Sequence, residues 1–356
     1  MKSIKTTNAI VHFNSDVYSE LNAYIKSSNP SKIFILVDTN THEYCLPNFL
    51  AQLESGDIII EVMEMPEGED HKTIDICTGV WEALSEYHAD RKSLMINLGG
   101  GVVTDLGGFV ASTYMRGMDY INVPTTLLAM VDASVGGKTG VDLGVLKNQI
   151  GITNEGSMVL IDTSFLETLP SNHMVSGYAE MLKHGLIYDK NYWNNLINFE
   201  NLDISELNDM IYDSVVIKNT IVSQDPKEQG IRKVLNFGHT LGHAIESCFL
   251  SNADKTPLLH GEAIAIGMLL EAYISNKSVG LSNNEFEEIE KGILKTFSKV
   301  NITENDQKII FNLLKHDKKN SHGKVKFVLL EAIAKPKINC EVENDLILEA
   351  FKYYNS

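Results

Sequence analysis

Hydrophobic positions follow two regimes along the chain. In the first half, short unbroken apolar runs alternate with stretches of helical spacing. Lys32–Val37 (KIFILV) and Ile58–Met63 (IIIEVM) read as buried strands, being too short for helices and rich in β-branched residues. Thr73–Tyr87 has helical spacing and leads into a third strand, Ser93–Leu98 (SLMINL). Tyr120–Val123 (YINV) ends a further strand, stopped by Pro124. Short apolar runs alternating with helices predict a parallel, doubly wound α/β sheet. The region Ile161–Pro170 reads as a hinge, and beyond it the spacing turns helical: Ser176–Leu186, Ile204–Val222, Arg232–Phe249, Gly261–Ser275 and Asn284–Lys299. Ser251–Pro257 (SNADKTP) is the clearest loop of this half, and Asp317–Lys324 (DKKNSHGK) is a charged loop before a short strand, Val325–Leu330. The expected organisation is an α/β domain over 1–165 and an all-α domain over 166–356, since a chain of 356 residues exceeds what one core usually holds.

Composition narrows the function. The formal charge of −17 argues against nucleic acid, which requires a basic surface. No apolar run is long enough to span a bilayer, and the first residues, Met1–Thr7, lack the apolar core of a signal peptide. Cys45, Cys77, Cys248 and Cys340 are far apart and form no C-x-x-C pair, as expected of reduced thiols in a cytoplasmic protein. Several cations nevertheless fall within the most patterned segments: Arg116, Lys138, Lys147, Lys183, Lys218 and Arg232. Cations concentrated there in an acidic chain suggest a local anion site, although any single lysine is as readily an ordinary surface ion pair.

Strand Ser93–Leu98 runs into Gly99-Gly100-Gly101, followed by Val102-Val103-Thr104-Asp105-Leu106-Gly107-Gly108. Glycines between a buried strand and a helix start let backbone approach a ligand, and the helix N-terminus offers N–H groups to a phosphate. The G-x-G-x-x-G spelling is not met, because Thr104 holds the third glycine's place, and a tight turn without a ligand remains an alternative. A second glycine stretch, Ser134-Val135-Gly136-Gly137-Lys138-Thr139, fails as a P-loop. Asp132 stands where that motif needs glycine, and the preceding Thr126–Ala133 reads as helical.

In Leu235–Glu246 (LNFGHTLGHAIE), His239 and His243 are spaced i, i+4 and share one helix face. His260 opens the next helix, and Glu180 lies in Gly177–His184 (GYAEMLKH). Two imidazoles and one carboxylate make a catalytic zinc set with open positions for substrate. Spacing alone leaves His239 with His243 as good a pair as His239 with His260. His184 is intermediate, next to Lys183 on the Glu180 helix. His12, His42, His71, His88, His173, His316 and His322 have no such setting and read as surface or core residues.

Taken in order, Gly99–Asp105, Arg116-Gly117, the long block VPTTLLAMVDASVGGKTG (123–140), Lys147-Asn148, Gly177–Lys183, Arg232–Glu246 and His260-Gly261-Glu262 resemble the 3-dehydroquinate synthase family within the sugar-phosphate cyclases. The resemblance runs from about Glu67 to Lys319. It implies a Rossmann-like N-terminal domain, a helical C-terminal domain and a cytoplasmic homodimer. The implied activity turns 3-deoxy-D-arabino-heptulosonate 7-phosphate, an anionic sugar phosphate, into 3-dehydroquinate and phosphate in the shikimate pathway. NAD is used and regenerated within a turnover, with Zn2+ or Co2+ as the metal.

By the same resemblance, Glu180, His239 and His260 are the metal ligands, and His243 becomes a polar group near the phosphate. Cofactor positions are Asp38, Glu67, Gly68, Glu69, Lys72, Gly100, Gly101, Val102, Asp105, Thr125, Thr126, Asp132, Lys138, Lys147, Phe165 and Thr168. Catalytic positions are Lys138, Lys183, His243, Asn148 and Arg116, and substrate positions are Lys218, Arg232, Asn236 and one of Lys318 or Lys319. Arg232, Asn236 and Lys218 suit a substrate bearing a carboxylate, which disfavours another cyclase. The cationic positions disfavour a polyol dehydrogenase. The chain departs from the family's commonest pattern in the longer Ser251–Pro257 loop and in Pro226 after Asp225.

Overall fold

The computed structural model describes residues 1–144, 146–199, 204–314 and 325–356. The chain divides into one unit of Met1–Pro170 with Ile204–Asn219, and a second of Ser171–Asp203 with Thr220–Ser356.

The first unit is built on strands β1 (Ile4–Lys5), β2 (Ile10–Phe13), β3 (Ile33–Asp38), β4 (Ile60–Met65), β5 (Leu94–Gly99), β6 (Asp119–Pro124) and β9 (Met158–Ile161). These form one seven-stranded sheet in the order β1-β2-β9-β6-β5-β3-β4. All neighbours run parallel except β1 and β2. Helices α1 (Val17–Ser28), α2 (Thr39–Tyr44), α3 (Leu46–Gln52), α4 (Ile74–Glu86) and α5 (Gly101–Thr113) make the crossovers. The central strands β3 and β5 are buried along nearly their whole length, as expected of a sheet covered on both faces. One core packs Phe34, Leu36 and Met95 against Val103, Leu106 and Val110 of α5. The parallel doubly wound sheet expected from the alternating pattern is therefore present.

Strand β4 lies two residues later than its apolar run suggests, because pairing with β3 sets its register at Ile33↔Ile60. The hairpin of β7 (Lys138–Leu143) and β8 (Leu146–Thr153) carries no sequence signature. Its strands are largely polar and half-exposed, so they lack the apolar run that marks the others. The stretch Thr126–Ala133 is helical as expected, ending in a π-turn at Ala129–Ala133.

The second unit contains α6 (Ser171–Tyr188), α7 (Lys190–Ile197), the end of α8 (Ile204–Gln224), α9 (His239–Leu250), α10 (His260–Ser278), α11 (Asn283–Leu294), α12 (Glu304–Leu314) and α13 (Asn344–Asn355). It is helical but not purely so, since β10 (Lys326–Ala332) and β11 (Lys335–Glu341) form an antiparallel hairpin. The single helix expected over Arg232–Phe249 is broken. Ile231–Asn236 forms a 3-10 turn, Gly238 adopts φ +78, and α9 starts afresh at His239. α9 and α10 approach closely at Gly238, Gly242 and Gly267. A Cβ on Gly242 would lie 2.7 Å from Ile264 Cδ1, and one on Gly267 would overlap the Gly238 carbonyl. Among the described residues, no helix is long and apolar enough to cross a membrane.

Candidate active site

In the first unit, successive strands leave β3 in opposite directions, β4 to one side and β5 to the other. The carboxyl ends of β3 and β5, Asp38 and Gly99, flank the point where an open α/β sheet forms its crevice. Gly100 is the N-cap of α5 and has no side chain with which to cap it, so the first N–H groups of α5 lack the usual side-chain acceptor. Gly99 and Gly100 also answer packing. A Cβ would lie 2.5 Å from Val103 Cβ at the first and 3.0 Å from Thr126 Cγ2 at the second. Beside them, Gly101 faces Ala133, the Thr125 N–H donates to the Gly99 carbonyl at 3.0 Å, and Thr126 Oγ1 accepts from the Ala129 N–H at 3.2 Å. Val102 is half-buried at the start of the helix. Asp38 already has structural work, since Oδ1 accepts from the Thr41 N–H at 2.8 Å and caps α2. Phe165 is buried, and Thr168 donates to its carbonyl at 3.3 Å.

The cofactor-type positions form one charged network. Lys72 Nζ lies 2.5 Å from Asp105 Oδ2 and 2.8 Å from Asn148 Oδ1. Lys147 Nζ lies 2.9 Å from Glu69 Oε1 and 3.3 Å from Asp142 Oδ2, while the Asn148 N–H donates to Asp142 Oδ1 at 2.6 Å. Asn148 adopts φ +51. Glu67 and Gly68 lead into this network, Gly68 at φ +101. Burial opposes charge on Lys72, but Asp105 and then Glu69 raise its pKa. Burial pushes the Asp105 carboxyl up against the pull of Lys72, and likewise Asp142 against Lys147. Lys218 Nζ lies 2.6 Å from Asp132 Oδ1. Lys138 is exposed at the start of β7, after Gly136 and Gly137 at φ +101 and +69.

In the second unit, α6, α9 and α10 bring Glu180, His239, His243 and His260 together. The three imidazole centroids are 5.1–5.7 Å apart, and one ring nitrogen from each lies within 4.8 Å of the others. Glu180 is fully buried, and its Oε1 is 3.4 Å from Nε2 of both His239 and His260. That is too long for a good hydrogen bond. It matches two donors each about 2.1 Å from one tetrahedral ion, which lie about 3.4 Å apart. Glu180 with either histidine therefore fits a divalent transition metal, and the three imidazoles also lie close enough to share one. Lys183 pairs with the other carboxylate oxygen, Oε2. Burial alone would raise the Glu180 carboxyl, but the Lys183 ammonium and then His239 hold it well below the usual range. Burial and then Lys183 push His239 down to about 4, keeping it neutral. Burial opposes charge on His260 too, but Glu246, with Oε2 3.2 Å from Nδ1, and Glu180 raise it to about 10.

A second polar group lies in the same unit. Arg232 is buried, and its Nη1 donates to the Pro226 carbonyl at 2.9 Å. Asp225 accepts N–H bonds from Gln229, Gly230 and Arg232 at 3.0, 2.7 and 3.1 Å, folding the segment around the guanidinium. Pro226 thus contributes its carbonyl to Arg232. Asn236 Nδ2 donates to Glu228 Oε1 at 2.7 Å.

Arg116 stands apart. It is exposed between α5 and β6, in a turn with φ of +49, +70 and +116 at Met115, Arg116 and Gly117. This is the amino end of β6, whereas the glycine loop is at the carboxyl end of β5. The register Leu94↔Asp119 separates the two by about 17 Å of strand. Within its own unit, Arg116 therefore sits at the opposite end of the sheet from the glycine loop. Lys318 and Lys319 lie outside the described residues. Glu246, Glu271 and Asp142 are engaged at these groups but were not anticipated. Glu246 follows His239 by seven residues, a helical spacing that places it on the same face, so that signal was available.

Family models for the N-terminal and C-terminal parts of 3-dehydroquinate synthase match residues 62–176 and 177–320. The chain belongs to the 3-dehydroquinate synthase family. The 3-dehydroquinate synthase of Parabacteroides distasonis is 42% identical over 343 residues, covering 95% of this chain and 96% of that protein. That of Alkaliphilus metalliredigens is 41% identical, covering 84% and 83%. Among solved structures, 2-deoxy-scyllo-inosose synthase complexed with carbaglucose-6-phosphate, NAD+ and Co2+ superposes with a TM-score of 0.83 at 24% identity, covering 99% of this chain and 100% of that one. A 2-epi-5-epi-valiolone synthase from Streptomyces hygroscopicus subsp. jinggangensis with NAD+ and Zn2+ also gives 0.83, at 23% identity over 99% and 98%. At these identities both establish a shared fold.

Proposed function

We propose that the chain converts 3-deoxy-D-arabino-heptulosonate 7-phosphate into 3-dehydroquinate and phosphate. This phosphorus–oxygen lyase reaction is the second step of the shikimate route to aromatic amino acids. The observation that carries the reading is the buried Glu180 facing both His239 and His260 in a chain of this family. A zinc or cobalt ion held by those three residues would supply Lewis-acid polarisation of the substrate's hydroxyl and ketone. NAD, held at Gly100, Gly101, Val102, Thr125 and the Lys72–Asp105–Lys147 network, would supply reversible hydride transfer.

The chain's own residues bind, orient and stabilise charge. Oxidation of a hydroxyl to a ketone acidifies the neighbouring C–H and permits loss of phosphate; reduction and ring closure follow. Arg232 presents a planar fork to the substrate carboxylate, with Lys218 and Asn236 as polar partners. Lys138, Lys183 and His243 serve the phosphate, stabilising the leaving dianion, and Asn148 is a further substrate contact. The phosphate itself takes the C–H proton, so no strong protein base is required. That assignment fails if a non-ionisable replacement of one of these side chains abolishes elimination while binding and oxidation persist.

The enzyme acts in the cytoplasm, in keeping with four free, buried thiols, and as a homodimer, without nucleic acid or membrane as partner. The homodimer gives Arg116 a role: from the far end of the sheet it serves the site of a second copy. The decisive assay supplies the heptulosonate phosphate with catalytic NAD+ and a divalent metal. Phosphate release with dehydroquinate formation is expected, and chelation abolishes it. Stoichiometric NADH accumulation would instead indicate a polyol dehydrogenase, and turnover of a hexose phosphate alone would indicate another cyclase.

A further inference from the structure

We propose that Glu271 is a positioning residue for the metal centre, gripping the backbone on both sides of His239. The inference rests on Glu180, His239 and His260 being the metal ligands. His239 is the first residue of α9. A helix start ordinarily has a side chain at the N-cap accepting from the third helical residue, and a side chain there accepting from the N-cap N–H. Here the N-cap is Gly238, which has no side chain and makes no such bond. Nor is a side chain admissible, because φ is +78 and a Cβ would lie 2.5 Å from Met268 Cγ and 3.1 Å from the Ile264 carbonyl oxygen.

Glu271 supplies both halves of the cap from α10. Its Oε2 accepts from the Gly238 N–H at 2.7 Å, and its Oε1 accepts from the Leu241 N–H at 3.2 Å. The carboxylate is fully buried, and its charge also suits the positive end of the α9 dipole. The close approach at Gly267 and Gly242 lets α10 bring the side chain within reach. Because α10 also starts at His260, one pair of helices carries both histidines, and Glu271 fixes the start of one relative to the other.

Two features make this more than general stability. The donors bracket His239 at positions 238 and 241, so losing either frees the backbone that aims its imidazole. Both carboxylate oxygens are needed, because an amide offers one acceptor and would turn N–H groups toward N–H. Groups that orient metal ligands typically change metal affinity by about 10–100-fold when altered.

The test measures Zn2+ affinity by chelator competition and the visible spectrum of the Co2+-loaded protein, for wild type, Glu271→Gln, Ser275→Ala and His239→Ala. Ser275 lies next to the cap, its Oγ donating to the Glu271 carbonyl and accepting from the Leu330 N–H, so Ser275→Ala reports destabilisation alone. Glu271→Gln is expected to weaken Zn2+ binding at least tenfold and alter the Co2+ bands, while Ser275→Ala lowers the melting temperature with affinity unchanged. If Glu271→Gln binds Zn2+ like wild type, or if Ser275→Ala loses the same affinity, the positioning role is overturned and the metal reading stands. If wild type binds no stoichiometric Zn2+, or His239→Ala binds it equally well, the metal reading itself falls.

Discussion

Nδ1 of His260 lies 3.2 Å from Oε2 of Glu246, while the same ring turns Nε2 toward Glu180. A carboxylate on one imidazole nitrogen fixes the ring's orientation and tautomer and makes the other nitrogen a better donor to a metal. Glu246→Gln should therefore weaken metal binding about 10–100-fold. It should leave the fold intact, since the amide oxygen can still accept from Nδ1. Chelator competition on the purified variant reads this directly. Unchanged affinity would mean that Glu246 is only a neighbour.

Lys72 and Asp105 pair within the first unit, the lysine buried and the carboxylate half-buried, their side chains 6% and 17% exposed. Removing the carboxylate leaves the buried ammonium with weaker partners and costs up to about 3–5 kcal/mol. Asp105→Asn should lower unfolding stability by about that amount, and NAD affinity with it. The double variant Lys72→Met/Asp105→Leu should recover much of the stability but not NAD binding. Denaturant melts and NAD titrations separate the effects, and equal recovery of both would remove this pair from the cofactor site.

The loop 251–257 is latched rather than loose. Lys255 Nζ lies 2.5 Å from Asp306 Oδ2 and stacks 4.1 Å over the Phe249 ring, while Asp306 accepts from the Thr303 N–H at 2.8 Å. Burial opposes ionisation of Asp306, but Lys255 and Thr303 hold its carboxyl below the ordinary value. A carboxyl depressed in the folded state contributes stability above its unfolded pKa, and loses it as pH falls through the folded one. Wild type should therefore lose stability on acidification below about pH 4 more steeply than Asp306→Asn. At pH 7 the variant should be about 1–3 kcal/mol less stable with unchanged turnover. Parallel acid melts of the two proteins would refute the latch.

The alternating pattern revealed β3, β5 and β6 because each is buried on both faces and reads as an apolar run. It hid the hairpin β7–β8, whose half-exposed polar strands carry no run to read, although Lys147 and Asn148 sit on it. Helical spacing over 232–249 also concealed the break at Gly238, because a 3-10 turn and a helix share a face over one or two turns. Spacing left His243 and His260 equal as partners of His239. The structure brings all three imidazoles together, with Glu180, more than fifty residues upstream, facing Nε2 of His239 and His260. Glu271 had no signal at all, since its acceptors meet backbone N–H groups on another helix and any residue could carry those.

Arg116 supplies the remaining test. It is exposed at the amino end of β6, while the glycine loop opens at the other end of the sheet. Three consecutive positive φ values hold its turn, braced by the Gly117 N–H on the Tyr114 carbonyl at 2.8 Å and Arg91 Nε on the Met115 carbonyl at 3.0 Å. Strain of this kind in an exposed arginine suits presentation to a neighbour more than internal packing. If a second copy of the chain uses it, Arg116→Ala and Lys183→Ala should each be nearly inactive alone, since each spoils every site. Mixed after mild dissociation, they should form heterodimers in which one site has both defects and the other has neither. Random assortment at equal concentrations then restores about a quarter of wild-type phosphate release. If Arg116 instead serves its own chain, each site keeps its own defect and the mixture stays as inactive as its parents.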